Sequence, residues 1–381
     1  MVVDICHRCA GLSTTVVSRN SGREYHQGMR EQGNYSIIFD DDPASATRLA
    51  PPIRWYESND DPQISTLLAS PSVTLVTTSV RKENLREASS LIAHAIEKRV
   101  ANNVAGHLCV IACENLPQNS TELCKVVTAQ LTPQARTYSR GHVLFCNTLV
   151  DRVCAKVRYQ SGRTEVPVES FHHWVVEKPE VDIEPIVRLA AMGLITIADP
   201  GAEFKAYEVQ KYWCMNGLHL AAAAYIYNYG SVRHFADALT IDPLFKKVLA
   251  LQRELESAFR LYVKRVGLQS RFPNRSVRQY SDSVFYRLRR NRTDTVGRIL
   301  KQEEEAPESV IQVLDRIERL VEPQCEILAF NKVLIDPKME LVALHLDPPQ
   351  GIRRLQLDDA VQQVVLAMRR YAREYSGSAD E

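Results

Sequence analysis

Three side chains that could do acid–base and hydrogen-bond chemistry lie within one apolar stretch, residues 207–230, reading YEVQKYWCMNGLHLAAAAYIYNYG. Helix-forming residues dominate this stretch, no proline interrupts it, and the closing Tyr-Gly pair indicates where it stops. We therefore expect one buried helix. Its Lys211, Asn216 and His219 lie at i, i+5 and i+8, which an α-helix with 3.6 residues per turn spreads over an arc of about 140°.

Burying a lysine, an amide and an imidazole on one apolar helix is costly unless these groups serve one another or a polar ligand. The first interpretation is a site on this helix that binds a polar ligand. The second is structural: a lysine at a helix start and two polar core residues satisfied internally. The residues alone leave both interpretations open.

The composition sets the class of protein. A chain of 381 residues with 45% hydrophobic and 24% charged residues is long enough for two ordinary globular domains. Lys plus Arg (47) nearly cancels Asp plus Glu (46), so we expect a small-molecule partner rather than nucleic acid or a membrane. The start, Met1 to Asp4, lacks the basic residues of a secretory signal, and no stretch of about 18 apolar residues occurs. We expect a cytoplasmic protein, monomeric or homodimeric.

Nine cysteines are scattered along the chain and fit a reducing compartment rather than a disulfide framework. Cys6 and Cys9 form a single CxxC pair. No second pair with suitable spacing follows, so we expect no metal site.

Strand and helix patterns alternate in the first half of the chain. β-branched or aromatic segments at residues 13–18, 35–39 and 53–57 predict short strands. Near-continuous apolar runs then alternate with helical patterns and predict strands at 73–80, 107–113 and 142–146 and helices at 84–100 and 119–130, the second capped by Asn119. This alternation predicts a parallel α/β sheet, whose ligands bind at the carboxyl ends of the strands.

Polar side chains stand at those carboxyl ends. They are Thr77, Thr78 and Ser79 after the first apolar run, Glu114 and Asn115 after the second, and Asn147 after the third. Each could also be an ordinary turn or cap residue.

A helical region follows the sheet. Residues 165–177 form the last predicted extended segment, and Pro179 marks a boundary, so we predict domains at 1–179 and 180–381. Besides the helix at 207–230, helices are predicted at 184–192, 231–239, 244–266, 309–320 and 357–375. The segment from Arg271 to Arg298 contains eight arginines and only two aspartates. These arginines form either a solvated basic face or a group that binds an anionic substrate.

The order of these motifs resembles the polyol dehydrogenase family that includes mannitol-1-phosphate 5-dehydrogenases and long-chain mannitol dehydrogenases. The matching blocks run in family order from about Val73 to Arg298: IACENLPQNSTEL, FCNTLVDRV, VESFHHWVVE, KYWCMNGLHLAAAAYIYNYG, and RFPN with its downstream arginines. The resemblance implies a Rossmann-like doubly wound α/β sheet followed by a mainly helical domain. It also implies metal-independent hydride transfer between a nicotinamide cofactor and a hexitol or hexitol phosphate.

The resemblance also implies roles for the polar residues. Lys211 would be the general base, since a lysine away from water gives up its proton more readily. Asn147 and Asn216 would hold the developing alkoxide, and His219 would orient the substrate oxygen. Eight residues of α-helix separate Lys211 from His219 by about 12 Å, so the lysine must reach or the helix must start bent.

The amino-terminal segment, which would bind the cofactor, departs from the family pattern. No G-x-G-x-x-G precedes the strand at Ser13, and the first, central strand of the sheet is not recognisable. Residues 2–10 would then be the remnant of the first helix in a chain that begins late. Arg19 stands where an acidic residue would hold the ribose hydroxyls, which favours NADP over NAD. The remaining predicted cofactor contacts are Thr77, Thr78, Ser79 and Asn115.

Phosphate recognition would rest on Arg287 and Arg290, because the family's closing cationic pair falls near Asp294 and Thr295 here. Lys178, where the long-chain branch tends to be acidic, could add a charge. Because the glycine-rich turn is missing, a catalytically silent sugar-phosphate-binding protein is the alternative. A nucleic-acid module would need aromatics among the arginines and a supporting net charge, which the chain lacks.

Overall fold

A computed structural model describes residues 5–6, 10–18, 35–39, 48–49, 54–57, 62–80, 84–154, 158–160, 163–229, 232–290 and 295–300. The chain divides into two compact units, Met1–Tyr207 and Glu208–Glu381. The functional division after residue 179, inferred from the sequence, stays a prediction.

The first unit is a mixture of strands and helices. Its strands are β1 (Thr15–Ser18), β2 (Ser36–Phe39), β3 (Arg48–Leu49), β4 (Arg54–Glu57), β5 (Leu75–Thr78), β6 (Leu108–Ala112), β7 (Val143–Phe145), β8 (Thr148–Asp151), β9 (Arg158–Gln160), β10 (Arg163–Val168), β11 (His173–Glu177) and β12 (Thr196–Ala198). Its helices are α1 (Pro62–Leu68), α2 (Leu85–Ala101), α3 (Asn119–Gln130), α4 (Pro133–His142), α5 (Glu184–Ala191) and most of α6 (Ala202–Gln210).

The parallel sheet predicted from the apolar runs is present as β5–β6–β7, with β6 in the centre. All five residues of β6 are buried, because both faces of the strand are covered. Cys109 and Ile111 join a core with α5 and the segment containing Ile5. Leu108, Val110 and Ala112 join a second core with α2 and α3. The strand therefore separates two helical layers, as an α/β fold requires.

The other strands form three further sheets. β1 pairs with β4 in parallel, β2 lies between β3 and β10 in the order β3–β2–β10–β9, and β11 lies between β8 and β12. In the doubly wound order a central strand would join the β1–β4 pair to the β5–β6–β7 sheet. None of the described residues forms that strand.

Two local predictions were wrong. Residues 165–177 are not one last extended segment: they contribute to β10 and to β11, and β12 follows them. Asn119 is not the residue that precedes α3. It is the first helical residue, and its side-chain amide bonds the backbone of Thr148, donating to the oxygen at 2.8 Å and accepting from the nitrogen at 3.1 Å. Its side-chain oxygen also accepts from the Ser120 nitrogen at 2.9 Å.

The described part of the second unit is helical. It contains α7 (Leu218–Tyr229), α8 (Phe235–Ala238), α9 (Asp242–Arg265), α10 (Asn274–Arg290) and α11 (Val296–Ile299). α9 covers the helix predicted at 244–266, and α8 is a shorter piece of the one predicted at 231–239. The helices predicted at 309–320 and 357–375 lie outside the described residues. No helix in the described ranges is both long and apolar enough to cross a membrane.

The helix predicted at 207–230 is present but is not α-helical throughout. Between α6 and α7, residues Lys211–Gly217 form a π-helix. A π-helix bonds residue i to i+5, so a residue five positions on takes the place that i+4 has in an α-helix. The arc derived with 3.6 residues per turn is therefore wrong for this segment. Lys211 and Asn216 stand one turn apart on one face.

Candidate active site

The carboxyl edge of the β5–β6–β7 sheet carries the polar residues that the sequence indicated. Thr78 is buried, Thr77 is half-buried and Ser79 is exposed. The buried Glu114 carboxylate joins the ends of two strands, since it accepts hydrogen bonds from Thr78 Oγ1 at 2.8 Å and from the Val80 backbone nitrogen at 2.9 Å. The loop after β5 is thus fixed to the end of β6.

Of two further predicted cofactor contacts, the structure describes Asn115 but not Arg19. Asn115 lies on the exposed turn after β6. Arg19 lies outside the described residues, so the preference for NADP stays a prediction. Among the described residues, no group of three or more histidine, cysteine or acidic side chains could hold a metal ion. Cys9 of the CxxC pair is outside that set.

Asn147 is buried at the end of β7 and caps α3 from another part of the chain. Its Oδ1 accepts from the backbone nitrogens of Ser120 at 3.1 Å and Thr121 at 3.0 Å. These amides belong to the first turn of α3, where backbone acceptors are missing. The Ser120 nitrogen also donates to Asn119 Oδ1 at 2.9 Å. The residue before the helix, Gln118, adopts a left-handed conformation with φ 51° and makes no side-chain cap. Asn147 therefore provides the acceptor for the Thr121 nitrogen and shares the Ser120 nitrogen with Asn119.

The other end of the Asn147 amide is also bonded. Nδ2 donates to Glu177 Oε2 at 2.8 Å and to Thr121 Oγ1 at 3.0 Å. The backbones of Asn147 and Glu177 are joined as well, since the Glu177 nitrogen donates to the Asn147 oxygen at 2.9 Å. Glu177 closes β11 and is half-buried. Glu177 was not predicted as a site residue, although an acidic residue at the end of a strand was a signal present in the sequence.

Lys178, the next residue, lies on the surface. Its Nζ is 3.8 Å from Asp199 Oδ1, and both side chains are mostly exposed, so this ion pair adds little stability. The role of Lys178 toward a phosphate stays a prediction.

In the second unit, Lys211 is 7% exposed and His219 is 8% exposed, while Asn216 is half-buried. Lys211 begins the π-helix and Asn216 lies near its end. His219 belongs to α7, and its ring lies 4.7 Å from the Phe235 ring between centroids. The three residues thus occupy one continuous helical run, in which the π-helix brings Lys211 and Asn216 to the same face.

A buried acid accompanies the lysine. Glu208, 3% exposed, lies one turn before Lys211. Burial, followed by the charge of Glu208, raises the pKa of Tyr212, and the same two causes raise the pKa of Tyr262. The Tyr262 ring packs edge-on against Trp213 of the π-helix, with centroids 5.8 Å apart. Glu208 was not predicted, because an acid at a helix start is an ordinary surface pattern.

The two arginines predicted to bind phosphate lie on α10. Arg287 is buried on the face of α10 that also contains Val284 and Leu288. Arg290 is exposed and its guanidinium lies 4.3 Å from the centre of the Tyr286 ring. These two arginines therefore have different environments, and their joint role stays a prediction.

Other arginines of this region are occupied in an ion-pair network. The buried Glu256 of α9 is surrounded by three arginines, Arg253, Arg260 and Arg278. Asp282 bonds two of them, Arg253 at 2.9 Å and Arg278 at 3.3 Å. Of the basic stretch between Arg271 and Arg298, Arg278 thus links α10 to the buried Glu256 of α9.

Comparison with known proteins agrees with this fold. Residues 2–187 match the family described as "Mannitol dehydrogenase Rossmann domain". Over 183 residues, the chain is 29% identical to mannitol-1-phosphate 5-dehydrogenase of Lacticaseibacillus casei (strain BL23), covering 48% of this chain and 45% of the relative. The enzyme of the same name from Streptococcus pneumoniae (strain Hungary19A-6) is 29% identical over 184 residues, or 48% and 46% of the two chains. The chain spans less than half the length of these relatives.

Two solved structures share the fold. Pseudomonas fluorescens mannitol 2-dehydrogenase, in a ternary complex with NAD and D-mannitol, superposes with a TM-score of 0.57 at 16% identity, covering 93% of this chain and 80% of the other. Substrate-free D-sorbitol dehydrogenase superposes with a TM-score of 0.58 at 14% identity, covering 94% and 87%. The predicted α/β class is confirmed. The amino-terminal part of the chain, residues 2–187, is thus similar to the Rossmann domain of the mannitol dehydrogenase family.

Proposed function

We propose that this chain is a nicotinamide-dependent polyol dehydrogenase that transfers a hydride between NAD or NADP and a hexitol phosphate or hexitol. The match of residues 2–187 to the mannitol dehydrogenase Rossmann domain carries this proposal. The mannitol-1-phosphate 5-dehydrogenases among its relatives favour conversion of the mannitol 1-phosphate to fructose 6-phosphate type.

Lys211 is the proposed general base, which takes the proton from the reacting hydroxyl. Its burial supports this assignment, because removal from water disfavours the charged ammonium and so favours the neutral amine that can accept a proton. Asn216, one π turn away on the same face, is the proposed donor of an amide hydrogen to the oxygen that loses the proton. His219 is the proposed group that orients this oxygen.

Asn147 is the second proposed amide donor to the alkoxide. Both of its amide hydrogens have protein acceptors, so one must be released when a ligand binds. Thr121 offers a route for that release. Its hydroxyl lies 3.0 Å from Nδ2 and 3.2 Å from Oδ1, so it can accept from the first or donate to the second. A ligand oxygen can replace it at Nδ2 while the hydroxyl remains bonded.

The carboxyl edge of the β5–β6–β7 sheet fits the nicotinamide half of a dinucleotide, since ligands of such sheets bind beyond the strand ends. Thr77, Thr78, Ser79 and Asn115 line this edge and are the proposed contacts, and Arg19 is proposed to favour NADP. When bound, the nicotinamide ring accepts or supplies the hydride. Arg287, Arg290 and Lys178 are the proposed contacts of a substrate phosphate.

The alternative is a catalytically silent protein that binds sugar phosphates. Such a protein would bind mannitol 1-phosphate in calorimetry and would not bind NADH or NADPH.

The two functions are separated by one set of assays on the whole chain. Mannitol 1-phosphate, mannitol and sorbitol are each supplied with NAD or NADP, and the absorbance of the reduced cofactor is followed. The proposal predicts an increase with at least one pair. A folded chain that gives no signal with any pair, yet binds the sugar phosphate, would support the silent protein instead.

A further inference from the structure

We infer that Glu177 is a positioning residue that sets the direction of the Asn147 amide, and through it the oxygen-binding donor of the proposed reaction. The inference rests on the proposed function of Asn147 and concerns a residue to which that proposal assigns no role.

The first observation is that Glu177 meets Asn147 at several atoms. Its Oε2 lies 2.8 Å from Nδ2 and 3.3 Å from the backbone nitrogen, and its own nitrogen donates to the Asn147 oxygen at 2.9 Å. One carboxylate oxygen thus receives both the side-chain and the main-chain hydrogen of the same residue.

The second observation is that the amide has only one orientation with all contacts satisfied. Oδ1 faces the Ser120 and Thr121 nitrogens, which donate, and Nδ2 faces Glu177, whose ionised carboxylate can only accept. Rotation of the amide by half a turn would place NH₂ against the helix amides and an oxygen against the carboxylate. The α3 amides and Glu177 therefore enforce the same direction from opposite ends.

This direction decides where the releasable hydrogen points. With one Nδ2 hydrogen held by Glu177, the second is the one that Thr121 Oγ1 accepts. Since that hydroxyl can instead donate to Oδ1, the second hydrogen is the one available to a substrate oxygen. Without Glu177 the amide would be held at Oδ1 by the α3 amides and would be free to tilt at Nδ2, and a tilted donor slows a reaction that depends on alignment.

The test compares Glu177→Ala with Glu177→Gln in turnover of a hexitol or hexitol phosphate. The glutamine oxygen can accept both hydrogens that reach Oε2, so E177Q should keep kcat near the wild-type value. E177A should lower kcat by about 10- to 100-fold through misalignment of the donor. Affinity for the reduced cofactor serves as the check on folding and should remain near wild type in both variants.

A double-mutant cycle separates positioning from a direct role. In an Asn147→Ala background, E177A should cause no further loss of kcat, because Glu177 acts only through the amide. Wild-type kcat in E177A, equal losses in E177A and E177Q, or an additional loss in the double variant would each overturn the inference. If the wild-type chain turned over none of the substrates, the proposed function would fail first and the inference with it.

Discussion

Replacing Asn147 by alanine should destabilise the first unit through the amino terminus of α3. The substitution removes the oxygen that accepts from the Ser120 and Thr121 nitrogens, at 3.1 and 3.0 Å, and the donor to Glu177 at 2.8 Å. The Ser120 nitrogen keeps Asn119 Oδ1 as an acceptor at 2.9 Å, so the Thr121 nitrogen is the helix amide that loses its acceptor.

The magnitude follows from these contacts. Loss of an asparagine cap costs about 1 kcal/mol. Loss of the hydrogen bond from Nδ2 to the Glu177 carboxylate adds about 1.5–3 kcal/mol. The free energy of unfolding should therefore fall by about 2–4 kcal/mol, which lowers the thermal midpoint of a unit of this size by roughly 5–15 °C.

Asn147→Asp separates the cap from the contact with Glu177. Aspartate caps a helix as well as asparagine and favours its positive end, so the α3 amides stay bonded. Its second oxygen, however, faces the Glu177 carboxylate, where a donor stood before. Two repelling carboxylates bind a proton more tightly in the folded than in the unfolded chain, so the free energy of unfolding of this variant should fall as pH rises from about 4 to 7.

Unfolding in urea, followed by circular dichroism at pH 5 and pH 8, measures these differences. Asn102→Ala is the matched control, because Asn102 is an exposed residue after α2 whose substitution should change stability by no more than about 0.5 kcal/mol. If N147A unfolded at the same urea concentration as this control, the hydrogen bonds from the α3 amides to Asn147 would not stabilise the fold.

Three further predictions concern other parts of the chain. Arg99→Met should lower the free energy of unfolding by about 3–5 kcal/mol, because the fully buried guanidinium bonds the Ser70, Val73 and Gly106 carbonyls; a chemical melt unchanged from wild type would refute this. Among the described cysteines, Cys154 should react first with iodoacetamide at pH 8, since it is exposed. Burial, followed by the Glu256 charge, raises the pKa of Cys214 and keeps that thiol protonated and unreactive there; mass spectrometry of peptides would reveal the opposite order. Glu114→Ala should weaken binding of the reduced cofactor more than Glu114→Gln does, because the glutamine oxygen can still accept from Thr78 or Val80; equal affinities in a fluorescence titration would contradict this.

Sequence patterns predicted the parts of the fold that depend on local burial. The apolar runs that became β5, β6 and β7 were recognisable because parallel strands covered on both faces carry apolar residues at nearly every position. The short β3, β8, β9 and β12 were not predicted, since two to four residues give too little alternation to distinguish from a loop.

The candidate site was predictable in its residue types but not in its contacts. Asn147 was selected because it follows a buried strand. Its oxygen bonds the first turn of α3, at Thr121, which lies 26 residues earlier in the chain. No local sequence pattern encodes contact between such distant segments. The π-helix at Lys211–Gly217 was likewise hidden, because a shift of hydrogen bonding from i+4 to i+5 leaves the apolar pattern of a fully buried helix unchanged.

The most direct test of the proposed function compares the wild-type chain with Lys211→Met, which keeps a long apolar side chain at the buried position. With the hexitol or hexitol phosphate that the wild type oxidises, the variant should lose about 10²- to 10⁴-fold in kcat while still binding the reduced cofactor. Wild-type turnover in K211M would contradict the assignment of Lys211 as the base.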